Sequence, residues 1–197
     1  MADDYEYDVF LSAADESPVS EWVNNHFKGL LYQHLSNEMA DSPKVFWYKE
    51  QVPGVDWKKN LKKVLCRSRI LVAILSPHYF RSDWCMAEFH SVIEREKMLG
   101  LGELERPEGL IYPVLFSDGD CFREIGRVKY WQDLREWRYP WPQFRDSAGY
   151  LEFDRAMRDV GKKLANQIAG VPPWRADFPV VTDPEVLGEA EMKLPRI

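Results

Sequence analysis

Long apolar runs are missing from this chain. Nothing in its 197 residues approaches the ~18 consecutive apolar residues of a transmembrane helix. Blocks of like charge are missing as well. The formal net charge is −6, from 26 basic and 32 acidic residues. Without a basic cluster, neither a nucleic-acid groove nor a polybasic membrane anchor is indicated. Cysteine is scarce: Cys66, Cys85 and Cys121 are widely spaced, and no CxxC occurs. That argues against a zinc site or a disulfide framework and fits free thiols in a reducing, cytoplasmic setting. The opening MADDYEYDVF lacks the basic-then-apolar pattern of a secretion signal. GxGxxG and GxxxxGK[ST] are both absent, so no phosphate-binding fingerprint supports nucleotide chemistry. His26, His34, His78 and His90 are scattered, and no Ser-His-Asp triad or metal set follows from their spacing. His26 and His34 are expected at the surface or boundary of one helix.

What is present is apolar and aromatic. Apolar residues make up 45% of the chain and aromatics 14%, enough for one sizeable core. Eight tryptophans need a use in core, ligand site or interface.

Strand and helix signals alternate along the chain. YDVFLS (7–12) reads as a covered strand. Ser17-Pro18 reads as a helix start, and the spacing of Val19, Trp22, Val23, Phe27, Leu30, Leu31 and Leu35 predicts a helix over 18–39. KVFWY (44–48) reads as a second strand, KEQVPGVD (49–56) as a loop and 57–67 as a helix. RILVAILS (69–76) is apolar almost throughout, as a central strand should be. Pro77 ends it, and a helix over 82–99 follows with Ser82 as its N-cap. LIYPVLF (110–116) reads as a fourth strand, VKYWQDL (128–134) as an edge strand, and Tyr150 to Ile168 as a last helix stopped by Gly170. Five prolines fall in the closing 27 residues, which read as a proline-containing tail over 171–197. The domain proper is expected over 5–170.

This alternation predicts an α/β fold, a doubly wound parallel five-stranded sheet of flavodoxin-like order 2-1-3-4-5. In such sheets ligands bind at the switch point, here between strands 1 and 3. SDWCMAEFH (82–90) follows strand 3. Trp84 and Glu88, four apart, lie one above the other on a helix. At helical spacing Cys85, Phe89, Val92, Ile93 and Leu99 face the core, and Glu88 falls at the edge of that stripe. Geometry alone leaves two readings open: a carboxylate reaching a cleft, or a solvated glutamate with Trp84 lidding the core. Glu96 falls inside the apolar face by angle, and helix fraying near that end is its only sequence-based explanation.

The combination of segments is more specific. YDVFLSA (7–13) resembles the first box of the Toll/interleukin-1 receptor (TIR) domain family. Gly54, Trp57, Leu61, Ser68-Arg69, Leu75-Ser76-Pro77, Tyr79, Ser82, Trp84-Cys85 and Glu88 follow in the order of its second box. PVLFSDGD (113–120) resembles its fourth strand and following loop. The likeness is greatest to prokaryotic, NAD+-cleaving members. It implies the TIR fold, with NAD+ as substrate rather than cofactor, and Glu88 as the catalytic carboxylate. Trp84 would wall the ring or ribose. Phe10, Ser12 and Ala13 at the end of strand 1, with Trp47 and Tyr48 at the root of the next loop, would line the ligand. The loop holding Val52, Pro53 and Gly54 would mediate self-association, and a separately encoded sensor or effector would be the partner.

Two stretches depart from the family pattern. Ala13-Ala14-Asp15 stands where members carry Tyr and then a polar residue, and Trp47-Tyr48 where many carry an acidic residue. An acidic Asp15 beside a pyrophosphate is unfavourable unless it points away. Two other functions stay open on sequence grounds: a non-catalytic TIR scaffold, and a nucleoside deoxyribosyltransferase-like enzyme acting on an N-glycosidic bond.

Overall fold

The computed structural model describes residues 4–50, 57–102, 109–117 and 131–180. Among the described residues, five strands are formed by Tyr7–Ala13 (β1), Val45–Trp47 (β2), Ser68–Leu75 (β3), Ile111–Leu115 (β4) and Gln132–Asp133 (β5). All pair in parallel, in the order β2-β1-β3-β4-β5. This is the doubly wound α/β sheet that the alternation predicts. β3 sits at the centre, and Ile70 to Leu75 are all buried. That is why its sequence is a continuous apolar run instead of an alternating one.

The helices are Val19–Trp22 (α1), Lys28–Glu38 (α2), Trp57–Cys66 (α3), Pro77–Arg81 (α4), Asp83–Leu99 (α5) and Ala148–Ala169 (α6). The single helix predicted over 18–39 is in fact broken by a π-helical stretch, Val23–Phe27. Trp22, Val23, His26 and Phe27 all lie inside, as expected of residues sharing one helix face. Ser17 does not cap this helix: its hydroxyl donates to Glu21 Oε1 at 2.9 Å, and α1 starts without a side-chain cap.

Both helical histidines are buried, against the sequence expectation. His34 Nε2 pairs with Asp154 Oδ1 at 2.9 Å where α2 packs on α6. His26 Nε2 meets Trp141 O at 3.0 Å, with Phe144 and Tyr150 edge-on to its ring. Burial in that aromatic box lowers the imidazole pKa.

Glu96 is also corrected. It does not fray: its Oε1 accepts the backbone N–H of Leu110 at 2.5 Å and of Ile111 at 3.1 Å. A carboxylate on the core face thereby satisfies two donors at the start of β4.

Part of the expected tail is a packed strap. Tyr5 Oη donates to Pro172 O at 3.0 Å, and Trp174 Nε1 to Cys66 O at 3.1 Å. Phe178 is buried. These contacts lie at the amino-terminal end of the parallel strands, opposite the end where β1 and β3 deliver their last residues.

Candidate functional site

Three elements converge at the carboxyl end of β1. Ser12 lies on β1 opposite Ala73 of β3. The chain leaves β1 toward β2 on one side and reaches β3 on the other, so this is the switch point of the sheet. Ser76 at the end of β3 caps α4 by accepting Tyr79 N–H at 3.2 Å, with Pro77 in the first turn. Pro77 therefore both closes the strand and opens a helix that the sequence reading did not include. Ser82 then caps α5, accepting Cys85 N–H at 3.4 Å. These two caps fix the directions in which Tyr79 and Glu88 enter the site.

Ser12 Oγ donates to Glu88 Oε2 at 2.5 Å and lies 3.0 Å from the Tyr79 hydroxyl. Glu88 is half-buried. Burial raises its carboxyl to about 7, and the Ser12 hydrogen bond acts in the opposite direction without cancelling the effect. Beside it, burial pushes the Cys85 thiol up to about 12, with the Glu88 charge adding to the rise. Tyr79 is fully buried and its phenol pKa is raised for the same reasons. The cluster is thus short of positive charge and holds one group that changes charge near neutrality.

The rim of the site is more exposed. Tyr48 Oη donates to Asp15 Oδ1 at 2.5 Å, and Lys49 Nζ pairs with the same oxygen at 2.7 Å. Burial is the largest single influence on the Asp15 carboxyl and raises it, but the Lys49 and Tyr48 hydrogen bonds and the Lys49 charge together outweigh burial and hold it below the usual range. Glu16 pairs with His78 Nδ1 on the other flank. The loop after β1 is therefore tied on one side to the end of β2 and on the other to α4. Burial raises the Tyr48 phenol pKa, and the Asp15 and Glu88 charges add to it, so Tyr48 shares the electrostatic neighbourhood of Glu88.

The predicted residues separate into groups. Ser12 and Glu88 are in direct contact. Tyr48 stands at the rim, and Ala13 is buried as a member of the core cluster. Trp84 is half-buried and packs against the core edge one turn before Glu88. Phe10 and Trp47, expected as ligand contacts, are core residues. Phe10 is 1% exposed against Phe46, and Trp47 is 1% exposed with its Nε1 donating to Asn24 Oδ1. Val52, Pro53 and Gly54 lie outside the described residues. Sequence reasoning missed the contact of Tyr79 with Ser12, whereas Cys85 is buried on the core side as its helical spacing predicts. Tyr79 sits in a five-residue helix, too short for any periodicity, and its signals were the Ser76-Pro77 cap and its place in the second-box motif. Among the described residues, no group of three or more His, Cys, Asp or Glu side chains is arranged to hold a metal ion.

Residues 6–102 match the model of the family described as TIR domain. The chain is 29% identical over 90 residues to Toll-like receptor 5 of Homo sapiens, covering 44% of this chain and 10% of that protein. It is 29% identical over 152 residues to Toll-like receptor 4 of Pinctada imbricata, covering 73% of this chain and 16% of that one. The chain thus spans only a small part of these curated relatives. They are animal receptors, whereas the sequence motifs pointed to prokaryotic members. Among solved structures, the TIR domain of the Toll-related receptor TRR-2 from Hydra magnipapillata is 18% identical with a TM-score of 0.43, over 76% of this chain and 98% of that one. The TIR domains of the activated Roq1 resistosome, which directly recognises the pathogen effector XopQ, are 22% identical with a TM-score of 0.43, over 82% and 84%.

Proposed function

With residues 6–102 matching the TIR domain family, we propose that this chain is a TIR-type NAD+ nucleosidase with Glu88 as its catalytic carboxylate. The observation that supports it best is the Glu88 side chain itself: half-buried, hydrogen-bonded to the end of β1, at the switch point of the sheet. Loss of neutral nicotinamide from NAD+ leaves positive charge on the ribose. A carboxylate in a site of low polarity stabilises that charge far better than one in water. The leaving group is a pyridinium before departure and needs no proton, so one carboxylate suffices where most glycosidases use two. Water or an adenine nitrogen then bonds to the anomeric carbon. The products are ADP-ribose or a cyclic isomer, with nicotinamide and a proton released.

The pairing of Asp15 with Tyr48 and Lys49 answers the objection that an acid here would repel a pyrophosphate, since its charge is already matched. The reading extends to a cytoplasmic role in immune defence, with assembly through the loop containing Val52, Pro53 and Gly54 and with a separately encoded sensor.

The names of the curated relatives favour a second reading. In it the domain is an assembly module of receptor signalling, and Glu88 is only a half-buried helix residue. Concentrated protein incubated with NAD+, followed by product chromatography, separates the possibilities. Nicotinamide with ADP-ribose or its cyclic isomer supports the nucleosidase. No turnover, even under crowding, supports the module. Free base released from a deoxynucleoside would instead point to a deoxyribosyltransferase-like enzyme.

A further inference from the structure

The hydroxyls of Ser12 and Tyr79 make an ordered chain to Glu88, and its direction follows from counting protons. Ser12 has one proton and two lone pairs. Its shorter contact, 2.5 Å, is to Glu88 Oε2. When Glu88 is ionised that oxygen can only accept, so the Ser12 proton goes there, in the charge-assisted and stronger bond. The 3.0 Å contact to Tyr79 must then run the other way, with the phenol donating to Ser12 Oγ. A fully buried phenol requires such a partner. Among the described residues, no hydrogen bond engages Oε1 of Glu88, so the two carboxylate oxygens are unequal.

We propose that Tyr79 is a positioning residue: acting through Ser12, it holds the Glu88 carboxylate with Oε2 occupied and Oε1 presented to the ligand. The proposal rests on the catalytic role of Glu88 for its effect on turnover, but the relay itself exists without it. Three elements contribute, β1 with Ser12, α4 with Tyr79 and α5 with Glu88, so the carboxylate is oriented by the strand it faces as well as by its own helix. Polarisation along the two hydroxyls strengthens the bond that reaches the carboxylate. Among the described residues, the other titratable groups facing Glu88 are Cys85 on α5 and Tyr48 after β2, and both are neutral over the range in which Glu88 titrates.

The test is a carbon-13 NMR titration of the Glu88 side-chain carboxyl in the full chain, for wild type, Tyr79→Phe and Ser12→Ala. Tyr79→Phe keeps the ring and removes only the hydroxyl, and thermal melts check that both variants fold. The titration midpoint is expected to rise in both, further in Ser12→Ala, because each loses stabilisation of the ionised form. If wild type releases nicotinamide from NAD+, Tyr79→Phe should lower kcat and move the pH–rate profile to higher pH with KM within twofold or so. An unchanged Glu88 titration in Tyr79→Phe overturns the relay, whether or not Ser12→Ala shifts it. A shifted titration in a protein that cleaves no NAD+ leaves the relay standing and removes the nucleosidase reading.

Discussion

The ring of Phe178 covers the guanidinium of Arg95, with the Arg95 Cζ 4.7 Å from the ring centroid. Arg95 is 1% exposed, and its cation is held by carbonyls: Nη1 donates to Ser68 O at 2.8 Å and Nη2 to Leu65 O at 2.9 Å. Leu65 lies in the last turn of α3, where unpaired carbonyls carry the negative end of the helix dipole. Among the described residues, Nε is buried without a hydrogen-bond partner. The π face of Phe178 lies over that incompletely satisfied cation and keeps water from it.

Removing the ring should therefore uncover an incompletely satisfied cation. Phe178→Ala is expected to lower stability by about 2 kcal/mol, from lost apolar burial together with the cation–π contact. Phe178→Leu should recover the burial and not the cation–π part. Urea midpoints of the three proteins check this.

A close approach of helices gives a second prediction. A Cβ added at Gly161 would lie 2.7 Å from His34 Cβ and 3.1 Å from the His34 carbonyl carbon. Both neighbours are fixed, because His34 is buried and bonded to Asp154 of α6. Gly161→Ala should thus destabilise by about 1–3 kcal/mol, although alanine favours an exposed helix interior by about 1 kcal/mol. Urea unfolding that shows a gain in stability would contradict the packing of α2 on α6.

The charge state of Glu88 gives a third. Its carboxyl is raised from 4.5 to about 7 by burial. A carboxyl raised on folding contributes its stability fully below the unfolded value, and the contribution is lost as pH rises through about 7. Glu88→Gln cannot ionise, so it should be more stable than wild type at about pH 8 and close to it at about pH 4. Denaturant titrations at the two pH values test the sign. Catalysis runs the opposite way: if the ionised carboxylate steadies the ribose, nicotinamide release should rise as pH passes through about 7.

The sheet order was legible because it needs only the alternation of apolar runs with helical periodicity. The position of Glu88 beside the end of β1 was legible from its place after the central strand and from the motif around it. The breaks in that legibility have physical causes. His26 and His34 share the apolar face of their helix by spacing, and what the sequence could not show was the pair of distant partners, Trp141 O and Asp154, that satisfy their polar rings inside. Glu96 looked out of place on an apolar face because its partners are backbone groups at the start of β4, which have no signature in side-chain pattern. Tyr79 joins the site through a single short turn. Phe10 and Trp47 were taken for ligand contacts on motif position, yet burial puts both in the core. Trp174 and Phe178 looked like tail residues because a strap held by scattered contacts has no period at all.

Nicotinamide release from NAD+ by concentrated wild-type protein and by Glu88→Ala, measured side by side at about pH 8 where the carboxylate is mostly ionised, tests the role of Glu88 most directly. Release by wild type, lost by at least about a hundredfold in Glu88→Ala with the fold intact, is the predicted result. Equal release by the two proteins, or none by wild type even when crowded into assemblies, would contradict it.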